Sequence, residues 1–134
     1  MFRLDKRKIF LLYQYFLLGN NQKVSHESEK DKERFIWLDN CLKNEHYLRD
    51  KISKKLKIGW DFSRLPPLEK AILIYGVYEL LFEQSPNYEK VIIDQTINFS
   101  KAYLEENKYK YINKVLDLLF KEKNYVENTN DKLV

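Results

Sequence analysis

Residues 64–81, RLPPLEKAILIYGVYELL, decide the fold. Pro66 and Pro67 open the stretch, and a proline suits a first helical turn, where the missing N–H would have no partner anyway. From Ala71 to Phe82 almost every residue is apolar, interrupted only by a Tyr-Glu pair and by Gly76. A helix that is apolar on all sides has to be enclosed by other helices. Gly76 inside it costs about 1 kcal/mol relative to alanine, a loss that the close approach of a neighbouring helix would offset. The stretch therefore predicts a central helix over about 67–83.

Working outward, Gly59 and the two prolines stop any helix between them, so Trp60 and Phe62 are expected to tuck a turn against the core. Upstream, Ile9, Leu12, Phe16 and Leu17 recur at helical spacing and predict a helix over about 3–18, ended by Gly19-Asn20-Asn21. Residues 21–31 alternate charged and small polar groups and read as an exposed loop. A second helical region over about 32–57 buries Phe35, Leu38, Leu42, Leu48, Ile52 and Leu56, with a break near Asn44. Downstream, Pro86 marks a turn, a helix follows over about 90–104 with Asp94 as a candidate cap, and a last helix runs over about 108–122. That makes an all-α bundle of about six to seven helices in one domain, residues 1–123, with 124–134 a polar, disordered tail.

The composition agrees. Three glycines, three prolines and 33% charged residues in 134 residues suit one helical domain with a single real core. Cys41 is alone, which excludes a disulfide framework and a Cys-based metal site. It lies at helical spacing with Leu38 and Leu42 and reads as a small core residue. His26 and His46 have no metal-ligand spacing, and no phosphate loop or nucleophile elbow is present. No metal, cofactor or catalysis is expected. The N-terminal apolar residues are interrupted by charges, so neither a signal peptide nor a membrane span is expected, and a cytoplasmic setting is.

The net charge of +4 is unevenly spread. Arg3, Lys6, Arg7 and Lys8 face only Asp5 in the first nineteen residues, and residues 43–57 carry six basic side chains against Glu45 and Asp50. Residues 64–100 reverse the sign, with three basic against five acidic. The pattern suits a basic surface for an anionic polymer beside an acidic one for a basic partner. A solvated surface with scattered charges would read the same way. Arg3, Lys6, Phe10 and Tyr13 fall three, four and three apart, on one face of the first helix, with Arg7 and Gln14 beside it. Cations followed one turn later by an aromatic suit single-stranded RNA, although Phe10 and Tyr13 would equally serve as core.

The central stretch resembles the core helix of the NusB family of bacterial transcription antitermination factors, with its signature R-x-x-x-x-E-K/R-A-I-L-R-x-x-x-Y-E-L. Val91 to Lys101, VIIDQTINFSK, is similar to the family's V-x-I-N-E-A-I-E-L-A-K, and Tyr111 to Asp117, YINKVLD, to its F-V-N-G-V-L-D. Leu12-Tyr13-Gln14 matches its L-Y-Q. Departures are Asp5 where a basic residue is usual, Phe10 for a glutamine, Ile74 for an arginine and Lys114 for a glycine.

The resemblance implies a non-enzymatic factor that binds boxA-like single-stranded RNA of ribosomal RNA leaders together with NusE, a small-subunit ribosomal protein. Through that complex it would act indirectly on the RNA polymerase elongation complex. The implied RNA-binding residues are Arg3, Lys6, Arg7, Tyr13 and Gln14, with Lys108 and Lys110 in the loop before the last helix. Glu69 and Glu79 match the family's glutamates and are the implied partner-binding residues; Glu83, at helical spacing with Glu69, Leu73, Gly76 and Leu80, joins them on one face for a basic partner. Some ribosomal RNA methyltransferases carry this fold as an N-terminal appendage; the chain ends where their catalytic domain would begin, so methyl transfer is not expected. The alternative is a helical protein–protein module that has lost RNA binding.

Overall fold

The structure, a computed structural model, describes residues 2–19, 29–82 and 88–133, and over 29–30 and 124–133 the backbone alone. Its elements are α1 (Lys6–Leu18), α2 (Glu29–Lys43), α3 (Glu45–Ser53), a 3-10 turn at Phe62–Arg64, α4 (Pro67–Phe82), α5 (Glu89–Tyr103) and α6 (Tyr109–Leu133). Among the described residues there is no strand, and no helix is long and apolar enough to cross a membrane. The all-α bundle is as the sequence predicts.

Helix α4 is the axis. It starts on Pro67, and Ala71 through Val77 are buried without interruption. Helices α1, α3, α5 and α6 all pack against it, which is what an all-round apolar surface demands. Gly76 sits in a close contact: a Cβ there would lie 3.2 Å from Thr96 Cγ2 on α5 and 3.3 Å from Leu116 Cδ2 on α6. The break near Asn44 is present, with Asn44 standing between α2 and α3. Cys41 is buried in the core.

Several boundaries differ from the sequence reading. Helix α1 begins at Lys6 and not at residue 3, because Asp5 caps it by accepting the Arg7 N–H at 3.0 Å. Residues 2–5 are pinned separately. The Leu4 N–H donates to Gln95 Oε1 at 2.6 Å, and Gln95 Nε2 returns a bond to the Phe2 carbonyl at 3.2 Å. The Asp5 N–H donates to the Tyr75 hydroxyl at 3.1 Å. Asp94 is no cap; α5 starts at Glu89, five residues earlier, and Asp94 is an exposed position inside it. Helix α3 stops at Ser53, and α6 continues in backbone through the expected tail to Leu133. The expected turns at Asn20-Asn21 and Pro86 lie outside the described residues, as does most of the expected loop at 21–31; its last residues, 29–31, open α2.

Burial makes the fold sensitive to alkali. Burial and the neighbouring Glu45 push the Tyr15 phenol up to about 12. Burial, with Glu79 and Glu45, does the same to the Cys41 thiol, also to about 12. Tyr75, Tyr78 and Tyr111 are raised as well, in each case chiefly by burial. Each group keeps its proton in the folded chain beyond the ordinary values of 10.0 for tyrosine and 9.0 for cysteine. Their stabilisation is complete below about pH 9 and is lost as the pH climbs through the folded values. Urea midpoints at pH 8, 10 and 11 are expected to fall in that order; a midpoint unchanged to pH 11 would remove this account.

Candidate nucleic-acid interface

The amino-terminal end of α1 and the junction between α5 and α6 bring most of the expected cations to the surface. Arg3 is exposed in the pinned segment before the helix, so it does not continue the helical face of Lys6, Phe10 and Tyr13. Lys6 is exposed and places its ammonium 5.7 Å from the ring centre of Tyr103, in the last turn of α5. Tyr103, 44% exposed, stacks on Phe99 with centroids 4.4 Å apart. Phe10 meets both rings edge-on, at 5.7 and 5.9 Å. The result is a cation beside a half-exposed ring that two other rings brace, an arrangement able to hold a phosphate and present an aromatic surface to a base. Sequence reasoning missed Tyr103; its position one turn after Phe99 was the available signal.

Arg7 lies on the other flank. Its guanidinium is 3.5 Å from Asp31, with a side chain 67% exposed, so the pair is weak. Arg34 is held more firmly, 2.9 Å from Asp5 and 3.5 Å from Asp31. Asp5 thus caps α1 and anchors α2 at once. Arg7, Phe10, Gln14, Asp31, Arg34 and Phe35 line a cleft of about 310 Å³ between α1 and α2. Gln14 is exposed there, whereas Tyr13 is half-buried against the core.

Lys108 and Lys110 are exposed just before and within the first turn of α6. The preceding Asn107 has φ 74°, a left-handed conformation that asparagine tolerates better than most residues. Lys101 reaches across to Tyr109, 4.9 Å from its ring centre.

Among the described residues the expected acidic face does not form as a surface. Glu69 is 6% exposed and accepts the Tyr111 hydroxyl at 2.6 Å. Leu73, Gly76 and Leu80, which share its helical face, are buried too, because that face looks into the bundle. Glu79 accepts the Trp37 indole N–H at 2.9 Å and is half-buried. Glu83 lies outside the described residues. Glu89, which sequence reasoning did not single out, is buried at the start of α5 and pairs with Lys123 of α6 at 3.4 Å. The same ammonium donates to the Leu80 carbonyl at 3.2 Å. No group of three or more His, Cys, Asp or Glu among the described residues is placed to hold a metal ion.

The model of the NusB family matches residues 8–121. This chain belongs to the NusB family. The match takes in Tyr13, Gln14, the three glutamates, Lys108 and Lys110, and leaves Arg3, Lys6 and Arg7 just ahead of it. Among its relatives, the transcription antitermination protein NusB of Borreliella burgdorferi is 38% identical over 72 residues, 54% of this chain and 51% of that protein. The protein of the same name from Borrelia garinii subsp. bavariensis is 33% identical over 106 residues, 79% of this chain and 72% of its own. That from Helicobacter pylori is 44% identical over 63 residues, 47% of this chain and 44% of its own. The chain thus spans about half the length of the first of these NusB relatives. No solved structure matches it.

Proposed function

We propose that this NusB-family chain, with residues 1–123 as its domain, is a cytoplasmic, non-catalytic transcription antitermination factor. It binds boxA-like single-stranded RNA of ribosomal RNA leaders jointly with the small-subunit ribosomal protein that serves as NusE. The assembled complex then helps RNA polymerase read through terminators. The observation that carries the RNA reading is the Lys6–Tyr103–Phe10 cluster, with exposed Arg3 and Arg7 next to Lys6 in sequence and exposed Lys108 and Lys110 at the α5–α6 junction. Gln14 supplies an amide at the rim, and Tyr13 supports the helix that presents it. Of the glutamates assigned to the partner, Glu69 fixes Tyr111 and Glu79 fixes Trp37.

Phosphate neutralisation by lysine and arginine makes binding salt-dependent, with a slope of about −0.7 per phosphate on single strands. Lys6→Ala is therefore expected to weaken binding to all RNAs alike and to make the salt dependence shallower by about that amount. The measurement is a titration of labelled boxA-like RNA with the ribosomal partner present, at two salt concentrations. The engagement of Arg7 and Arg34 by Asp31 and Asp5 favours a second reading, a protein-binding module without RNA. Affinity indifferent both to salt and to Lys6 would select it.

A further inference from the structure

The loop between α3 and the 3-10 turn carries an apolar tip that the bundle does not use. Lys57 to Trp60 form a tight turn closed by the Trp60 N–H on the Lys57 carbonyl at 2.9 Å. Gly59 takes its third position at φ +91°, as a type II turn requires. Ile58 is fully exposed at the crest, and Trp60 is 45% exposed beside it. The Trp60 ring packs against Tyr111, with centroids 5.0 Å apart and planes at 68°. Tyr111 is itself fixed by its bond to Glu69. A buried carboxylate thus sets a tyrosine, and the tyrosine sets a tryptophan that keeps nearly half its surface in water. The Trp37 indole N–H is satisfied by Glu79; nothing among the described residues accepts that of Trp60.

The charges around the tip are mostly basic. Lys57 belongs to the turn, Arg64 closes the 3-10 turn, and Lys108 and Lys110 flank the start of the helix that carries Tyr111. None of these four closes a salt bridge among the described residues, whereas Lys54 and Lys55 are taken by Asp50 and Glu122. Asp61, Glu105 and Glu106 are the nearby acids in sequence. Asp61 accepts the Ser63 N–H at 3.0 Å, which holds its carboxyl below the usual range, with Arg64 and Arg49 helping.

We propose that Trp60 is a second stacking platform for single-stranded RNA, with Lys57, Arg64, Lys108 and Lys110 drawing the phosphates; this rests on the RNA-binding function proposed above. Base stacking suits an isolated ring because every base offers a π-face. A stable protein interface buries more than about 1,000 Å², and Ile58 with Trp60 is too small an apolar patch to anchor one. Trp60 packs on Tyr111, two residues after the Tyr109 that Lys101 covers at 4.9 Å, and Lys108 and Lys110 stand beside both tyrosines in sequence.

The test compares uridine oligonucleotides of about six and about twenty nucleotides, binding to the full chain with the ribosomal partner present. Trp60→Ala is expected to weaken the long oligonucleotide roughly 5- to 150-fold and leave the short one unchanged. Trp60→Phe should retain most of the affinity, and Lys57→Glu should again weaken only the long RNA. RNA is expected to quench tryptophan fluorescence in the wild type, and Trp60→Phe should abolish the quench. Wild-type affinity of Trp60→Ala for both lengths, with Lys6→Ala still weakened, would overturn the platform and leave the RNA function standing. Absence of RNA binding by the wild type would overturn both. Loss of the ribosomal protein from Trp60→Ala at unchanged RNA affinity would overturn the platform and give the tip to protein.

Discussion

Gly76→Leu is expected to lower the free energy of unfolding by roughly 1–3 kcal/mol. The first added carbon would already stand 3.2 Å from a branched Thr96 methyl and 3.3 Å from Leu116, closer than such atoms normally approach. Three further carbons have no space between α4, α5 and α6, so the helices must move apart or the side chain must leave its preferred rotamers. Gly76→Ala is the informative comparison. It gains about 1 kcal/mol of helix propensity against the crowding of one methyl group, and its net effect should be near zero. Thermal and urea midpoints of the two variants measure the difference; a Gly76→Leu midpoint equal to wild type would mean that the three helices are not in contact there.

Glu69→Lys is expected to be costlier, on the order of 3–5 kcal/mol, because it leaves a buried charge with no opposite charge beside it. The native carboxylate is almost fully buried and accepts the Tyr111 hydroxyl. An ammonium cannot accept that hydrogen, and the site offers it no carboxylate in return. Glu69→Gln keeps an acceptor and should lose only about 1 kcal/mol. Tyr111→Phe, which strands the carboxylate, should lose more, about 1–3 kcal/mol. Any loss of the ribosomal partner in Glu69→Lys must then be corrected for the unfolded fraction. A Glu69→Lys variant with a wild-type midpoint would place this side chain at the surface.

The central helix was legible in the sequence because a run such as AILIYGV has only one physical use, and the Asn44 break because the apolar stripe loses phase there. The burial of Glu69 was not legible. A glutamate in a first turn reads as a dipole partner at the surface, and the tyrosine that buries it lies 42 residues away. Asp5 misled for the same reason. As a letter it is a missing basic residue; in the fold it is the cap of α1 and the anchor of Arg34. Lys6 and Gln14 could be placed on the exposed side of α1 because period alone separates faces. Tyr103 and Trp60 could not, since an aromatic that leans on the core and one that belongs to it look alike until their neighbours are known.

The enclosure of α4 has a consequence for how the chain is made. The backbone of Asp5 and the hydroxyl of Tyr75 meet across 70 residues, so α1 waits at the ribosome exit for a partner synthesised much later. When α4 does emerge, the helices that cover its other sides, α5 and α6, are still to come. For that interval the most apolar segment of the protein is open on the flank that carries Gly76, and exposed surface of this kind invites aggregation. The nascent chain should need a chaperone most in the window between the emergence of Phe82 and that of Leu119, and least once α6 has closed over Gly76.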